Sequence, residues 1–239
     1  MQAKPEVEAG AARFVPNTRD LAKLRNAAKS CRGCDLYRRA TQTVFGQGAP
    51  HARVVLVGEQ PGDQEDRQGL PFVGPAGGLL DRALAEAGIS KRDVYVTNAV
   101  KHFKFEQRGK RRIHKKPGRT EIVACRPWLA AELAAVKPRI LVCLGATASQ
   151  ALMGSSFSLM KERGKFFQTD WAPKLLVTIH PSAALRAIEH EDRQRLFRLL
   201  VSDFKLVARE LANGARRARP PMASAASTPS RDSTRRRSV

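Results

Sequence analysis

The stretch Arg53-Val-Val-Leu-Val-Gly58, followed at once by Glu59-Gln60-Pro61-Gly62-Asp63, decides the architecture of this chain. Four consecutive apolar residues closed by glycine have the character of a strand buried on both faces, since a half-wet strand alternates apolar with polar residues. Arg139-Ile-Leu-Val-Cys-Leu-Gly145 repeats the pattern, and Val94-Tyr-Val-Thr97 and Leu175-Leu-Val-Thr-Ile179 are shorter runs of similar character. Segments of helical period fit between them: 18–30, 75–87, 119–136, 146–153 and 192–213. The alternation predicts an α/β fold, a three-layer α/β/α sandwich with a central parallel sheet of about four strands. In such sheets the ligand sits outside the carboxyl ends of the strands. The polar, glycine-rich and histidine-bearing segments Gly58–Asp63, Asn98, Gly145 and His180-Pro-Ser182 all follow strands in this way.

Composition bounds the rest. The chain has 239 residues, 42% apolar and 27% charged, which excludes a collagen, a coiled coil and a wholly disordered protein. Its 43 Lys and Arg against 22 Asp and Glu leave a net charge of +21. That excess points to a polyanionic partner, nucleic acid before all others. No apolar run is long enough for a membrane span, and the start lacks the apolar middle of a signal peptide, so a cytoplasmic or nucleoid-associated monomer is expected. Residues 1–17 read as a flexible lead-in and 18–213 as one folded domain. Residues 214–239, with seven Arg and one Asp between Arg216 and Arg237, read as a disordered basic tail.

The candidate chemistry lies at the strand ends. Gly58–Asp63 suits a sharp turn where backbone approaches a ligand, although an ordinary strand-to-loop turn has the same composition. The segment from Lys101 to Arg119 carries nine Lys or Arg and one Glu, and Gly109 and Gly118 mark it as loop. Such a run is either a solvated face or a DNA-facing one, with Lys110, Arg111 and Arg112 on phosphates. His114 ends it, an imidazole able to act as a nucleophile when a carboxylate orients it, or simply to contact phosphate.

Gly58-Glu-Gln-Pro-Gly62, Gly69-Leu-Pro-Phe-Val-Gly-Pro-Ala-Gly77, Thr97-Asn-Ala-Val-Lys101 and His180-Pro-Ser182 together resemble, in order, the motifs of the iron–sulfur uracil-DNA glycosylases. Lys110-Arg-Arg-Ile-His114, with Gln60, is similar to one branch of that superfamily, UdgX. The resemblance implies that Phe72 stacks on the base, Asn98 reads the uracil edge and His180 donates to the base oxygen that gains charge. Glu59 would stabilise the oxocarbenium-like sugar, unless it is merely a salt-bridged loop carboxylate. Gly58, Gln60, Pro61, Gly62 and Asp63 fall on the substrate side, and Ser182 and Arg186 join the basic residues on DNA. His114 would bond to the sugar carbon that uracil vacates. The implied partner is uracil-containing DNA, single strands favoured. A turning-over glycosylase and a non-catalytic basic DNA-binding protein are the rival readings.

Cys31-Arg-Gly-Cys34 has the spacing of a metal or redox pair, and with Cys125 it would suit zinc or an iron–sulfur cluster. The resemblance implies a [4Fe–4S] cluster on Cys31, Cys34, His102 and Cys125. His102 stands where the family has a cysteine. Cys143, inside an apolar run, is expected in the core.

Overall fold

The computed structural model describes residues 10–218. Among the described residues eight strands form: β1 (Gln47–Gly48), β2 (Val54–Gly58), β3 (Val94–Asn98), β4 (Phe105–Arg108), β5 (Arg111–His114), β6 (Ile140–Leu144), β7 (Phe166–Thr169) and β8 (Ala172–Thr178). Six of them make the main sheet, in the order β1-β3-β2-β6-β8-β7. The four inner strands are parallel, in register from Val54 opposite Val94 and Ile140 to Gly58 opposite Asn98. These are the four apolar runs of the sequence. The sheet is nevertheless mixed, because β1 and β7 add antiparallel edges. Two residues of Gln-Gly, and a strand half exposed along Phe166–Thr169, leave no continuous apolar signature to find.

The main helices are α1 (Leu21–Ala28), α2 (Asp63–Gln68), α3 (Pro75–Glu86), α4 (Arg119–Val136), α5 (Ala146–Met153), α6 (Leu159–Glu162), α7 (Pro181–Arg186) and α8 (His190–Ala218). Alternate residues of each inner strand feed opposite cores. Val54, Leu56, Val142 and Leu176 pack with Leu80, Leu84, Leu200 and Phe204 of α3 and α8. Val55, Val57, Leu141, Cys143 and Val177 pack with Leu129 and Leu133 of α4 and with Ala148 and Leu152 of α5. The three layers follow from this period of two, and each fully buried aliphatic side chain contributes roughly 1.5–3 kcal/mol. A smaller core joins Leu24, Ala28, Cys31, Phe45, Cys125 and Trp128 at one end of α4. Among the described residues no helix is long and apolar enough to cross a membrane.

Three local expectations change. The lead-in is held from residue 10 onward: Ala11 is buried, its N–H donates to the Ala124 carbonyl at 2.7 Å, and Ala12–Phe14 forms a short 3₁₀ turn. Residues 1–9 lie outside the described residues. Helix α8 does not stop at Asn213-Gly214 but runs to Ala218, which moves the start of any tail; 219–239 lie outside the described residues. Gly214 is a close-approach position, not a terminator, since a Cβ there would fall 1.6 Å from the Arg139 guanidinium. The basic loop is a hairpin, β4 paired with β5 from Phe105–His114 to Arg108–Arg111, turning at Gly109 with φ 56°.

Candidate active site at the carboxyl edge of the sheet

Strands β2, β3 and β8 end together, and their last residues build one rim. Gly58 closes β2 against Asn98, which closes β3 and is 3% exposed. A Cβ on Gly58 would meet Asn98 Oδ1 at 2.3 Å and Phe72 Cζ at 2.8 Å, so amide and ring close over bare backbone. Phe72 itself holds φ 55°, an uncommon conformation for a bulky residue, and Gly77 lies so near the Phe72 carbonyl that no side chain fits. The Phe72 ring faces His180 at 6.0 Å between centroids, 26° from parallel. Below it, Lys101 Nζ donates to the Asn98 carbonyl at 2.8 Å and to Thr97 Oγ1 at 2.6 Å, and pairs with buried Glu132. The end of β3 at Asn98 is therefore tied to a buried ion pair.

His180 caps α7. Its Nδ1 accepts from the Ser182 N–H at 3.1 Å and faces Ser182 Oγ at 2.7 Å, and Arg186 donates to that hydroxyl at 2.8 Å. An accepting Nδ1 leaves the proton on Nε2, a neutral donor free to face a ligand. Burial, with Arg186 and His114 nearby, lowers its pKa to about 4.

His114 reaches the rim from the hairpin. Its Nε2 lies 3.4 Å from Glu59 Oε1, and Thr147 on α5 hydrogen-bonds Glu59 Oε2. Burial lowers the His114 pKa, Glu59 opposes that and Arg186 adds to it, with the net effect favouring the neutral ring. Gln60 grips the hairpin stem from below. Its Oε1 accepts from the Lys104 N–H at 3.2 Å, and its Nε2 donates to the carbonyls of Lys104 and Lys115 at 3.1 and 3.0 Å. Those carbonyls take both amide protons, so the Gln60 nitrogen has none left for His114 Nε2, 3.0 Å away. Arg112 latches the other side, to Asp63 at 2.5 Å, Asp66 at 2.6 Å and Thr41 at 3.1 Å.

Comparison with known proteins decides what this rim belongs to. The model of the uracil DNA glycosylase superfamily matches residues 45–205, and a type-4 uracil-DNA glycosylase of Thermotoga maritima is 39% identical over 70% of this chain and 83% of its own. The chain belongs to the uracil DNA glycosylase superfamily. A type-4 enzyme of Sulfurisphaera tokodaii is 36% identical over 80% of this chain and 84% of its own length. A type-5 enzyme of Pyrobaculum aerophilum is 30% identical over 56% and 62% respectively.

Within this glycosylase fold the residues named from sequence divide into three groups. Glu59, Phe72, Asn98, His114 and His180 meet at the rim with Gly58, and Lys110 and Arg111 are exposed at the hairpin tip. Pro61 and Gly62 form the turn into α2, where Gly62 N–H donates to Glu65 at 3.0 Å. Gln60, Asp63 and Arg112 each hold the hairpin against the body of the protein. Ser182 likewise orients His180. Thr147, Asp66, Lys101 and Glu132 were not singled out. Only Asp66, three residues after Asp63 on a helix and thus on the same face, carried a spacing signal.

Cys31, Cys34 and Cys125 share the small core at one end of α4. Cys31 Sγ accepts from the Trp128 indole at 3.1 Å and Cys125 Sγ from the Lys101 N–H at 3.2 Å. Burial pushes the Cys125 thiol up to about 12, with Cys31 and Cys34 as further raising neighbours. His102, one residue from that amide, is lowered to about 4 by burial, and its Nε2 bonds Thr43 Oγ1 at 3.0 Å. Since the Thr43 hydroxyl donates to the Ala28 carbonyl, Nε2 carries the imidazole proton and Nδ1 keeps a lone pair. Three thiols and a neutral imidazole suit iron in an iron–sulfur cluster as donors. Among the described residues, however, no three His, Cys, Asp or Glu side chains close into a metal-binding group. Cys143 is buried in the sheet core, as expected.

Proposed function

We propose that this glycosylase releases uracil from DNA and then stays joined to the abasic sugar through His114. The observation that carries the reading is the approach of His114 Nε2 to Glu59, on a hairpin tied down at both stems beside His180 and Asn98. Uracil inside a duplex is out of reach, so it is extruded or taken from a single strand, where no pairing is lost; single strands are the favoured substrate. Phe72 covers the base and Asn98 reads its edge. The His180 Nε2–H donates to the uracil oxygen as the C1′–N1 bond breaks and its electron pair leaves with the base, a contribution on the order of 3 kcal/mol. Glu59, held by Thr147, stabilises the cationic sugar and takes up the His114 Nε2 proton as that nitrogen bonds C1′, which leaves a neutral N-substituted imidazole. The proton passes on to the departing uracilate. A neutral His114 is needed for this, and its lowered pKa supplies it. Cys31, Cys34, His102 and Cys125 would hold a [4Fe–4S] cluster. The cluster would supply a structural cross-link between the N-terminal segment and the hairpin stem.

The test is a denaturing gel after incubation with uracil-containing single-stranded oligonucleotide. A boiled-stable shifted band of at most one per enzyme is expected, and His114→Ser removes the band while uracil is still released. Abasic product in molar excess over wild-type enzyme, with no shifted band, identifies a turning-over glycosylase instead. Absence of any base release identifies a DNA-binding protein.

A further inference from the structure

A second cluster of charge occupies the opposite, amino-terminal end of the sheet. Arg53 and Arg139 immediately precede β2 and β6, Lys137 closes α4 with φ 53°, and Arg19 precedes α1. With His51 they line an open hollow of about 480 Å³. Arg19 and Lys137 also border an adjoining hollow of about 680 Å³, which adds Asp170 and Trp171. Asp93 neutralises Arg53 through two hydrogen bonds of 2.9 and 2.8 Å. Arg19, Lys137 and Arg139 are exposed, and among the described residues none of them forms an ion pair. Like charges collected without counter-charges repel one another, and a polyanion removes that repulsion while releasing its own counterions.

We infer that this pole is a second DNA-binding surface, which grips the phosphodiester backbone of a DNA segment other than the one at the glycosylase rim. The first hollow is lined by cations and aliphatic side chains with no aromatic ring beyond His51, which suits phosphates and offers no stacking platform for bases. The five residues of β2, from Val54 to Gly58, span about 17 Å, so a short strand threaded at the rim does not also fill the hollow. Helix α8 comes to the same pole, where Gly214 lies against Arg139. The inference rests on DNA being the substrate and is independent of capture by His114.

The test uses the full-length chain itself immobilised on beads and loaded with a short uracil-containing single strand, to which fluorescent uracil-free duplex is then offered across about 50–200 mM salt. Wild-type protein captures the duplex. In Arg19→Glu/Lys137→Glu, capture falls about tenfold at the upper salt and the log–log salt slope drops by about two, while uracil release from the loaded strand is unchanged. Arg19→Gln/Lys137→Gln, which only removes charge, gives an intermediate loss and serves if the reversal impairs folding. Equal capture by wild type and both variants overturns the inference. So does preference for fluorescent polyglutamate over duplex, which would make the pole a site for acidic protein. Failure of uracil release in wild type would instead fault the proposed activity, and it is read separately.

Discussion

At the scale of single residues the site depends on what is missing as much as on what is present. Gly58 has no side chain, and the space it leaves holds both the Asn98 amide and the Phe72 ring edge. Gly58→Ala must therefore push apart the two groups proposed to bracket the base. Displacement by about 1 Å of a positioning group can cost on the order of 10²-fold in rate. We expect single-turnover uracil release to fall by about that factor with the thermal midpoint little changed; a wild-type rate would show that the rim tolerates the displacement. Asn98 and His180 were legible in the sequence because each directly follows an apolar strand, which fixes its edge of the sheet. Gln60 was not, because its side-chain direction is set by main-chain groups of Lys104 and Lys115, more than forty residues away.

At the scale of elements the hairpin of β4 and β5 decides whether His114 belongs to the site. Its charge run looked like a solvated or DNA-facing loop, and two features of the fold make it a fixed arm. Gln60 ties the stem, and Arg112 inserts between Asp63 and Asp66 of α2 with its side chain 12% exposed and that of Asp66 fully buried. Arg112→Ala leaves Asp66 with only the Thr41 N–H, at 3.0 Å, against an uncompensated buried charge. We expect a loss of about 3 kcal/mol in urea unfolding, and loss of the boiled-stable complex beyond the loss of uracil release. Arg112→Lys keeps the charge without the planar fork and falls between. Equal losses of release and of complex would mean that the latch supports the whole fold rather than the arm.

At the scale of the molecule, one buried ion pair joins sheet, helix and N-terminal half. Glu132 of α4 accepts from Gly46 N–H at 2.9 Å, Tyr95 OH at 2.9 Å and Thr97 Oγ1, and pairs with Lys101, whose three ammonium protons all find acceptors. Both side chains are essentially unexposed. Lys101→Met strands a carboxylate and is expected to cost about 3–5 kcal/mol. Lys101→Met/Glu132→Leu is expected to cost less than the sum of the two single changes by about 1–3 kcal/mol, measured as a double-mutant cycle in denaturant. Additive losses would mean that the two charges are not coupled.

By itself the sequence determined the four parallel strands, their two-faced burial and the edge at which chemistry gathers. Those properties are local: a short, β-branched apolar run bounded by glycine suits an interior strand, and the residue after it then falls at the rim. Only the tertiary structure decided which polar residues stand at the rim and which hold the frame. It showed Arg112, Asp63 and Gln60 anchoring the hairpin, added two short edge strands and carried α8 through Gly214. The reason is physical: whether a charge is free or committed depends on which distant groups the fold brings within about 3 Å, and no spacing along the chain encodes that distance.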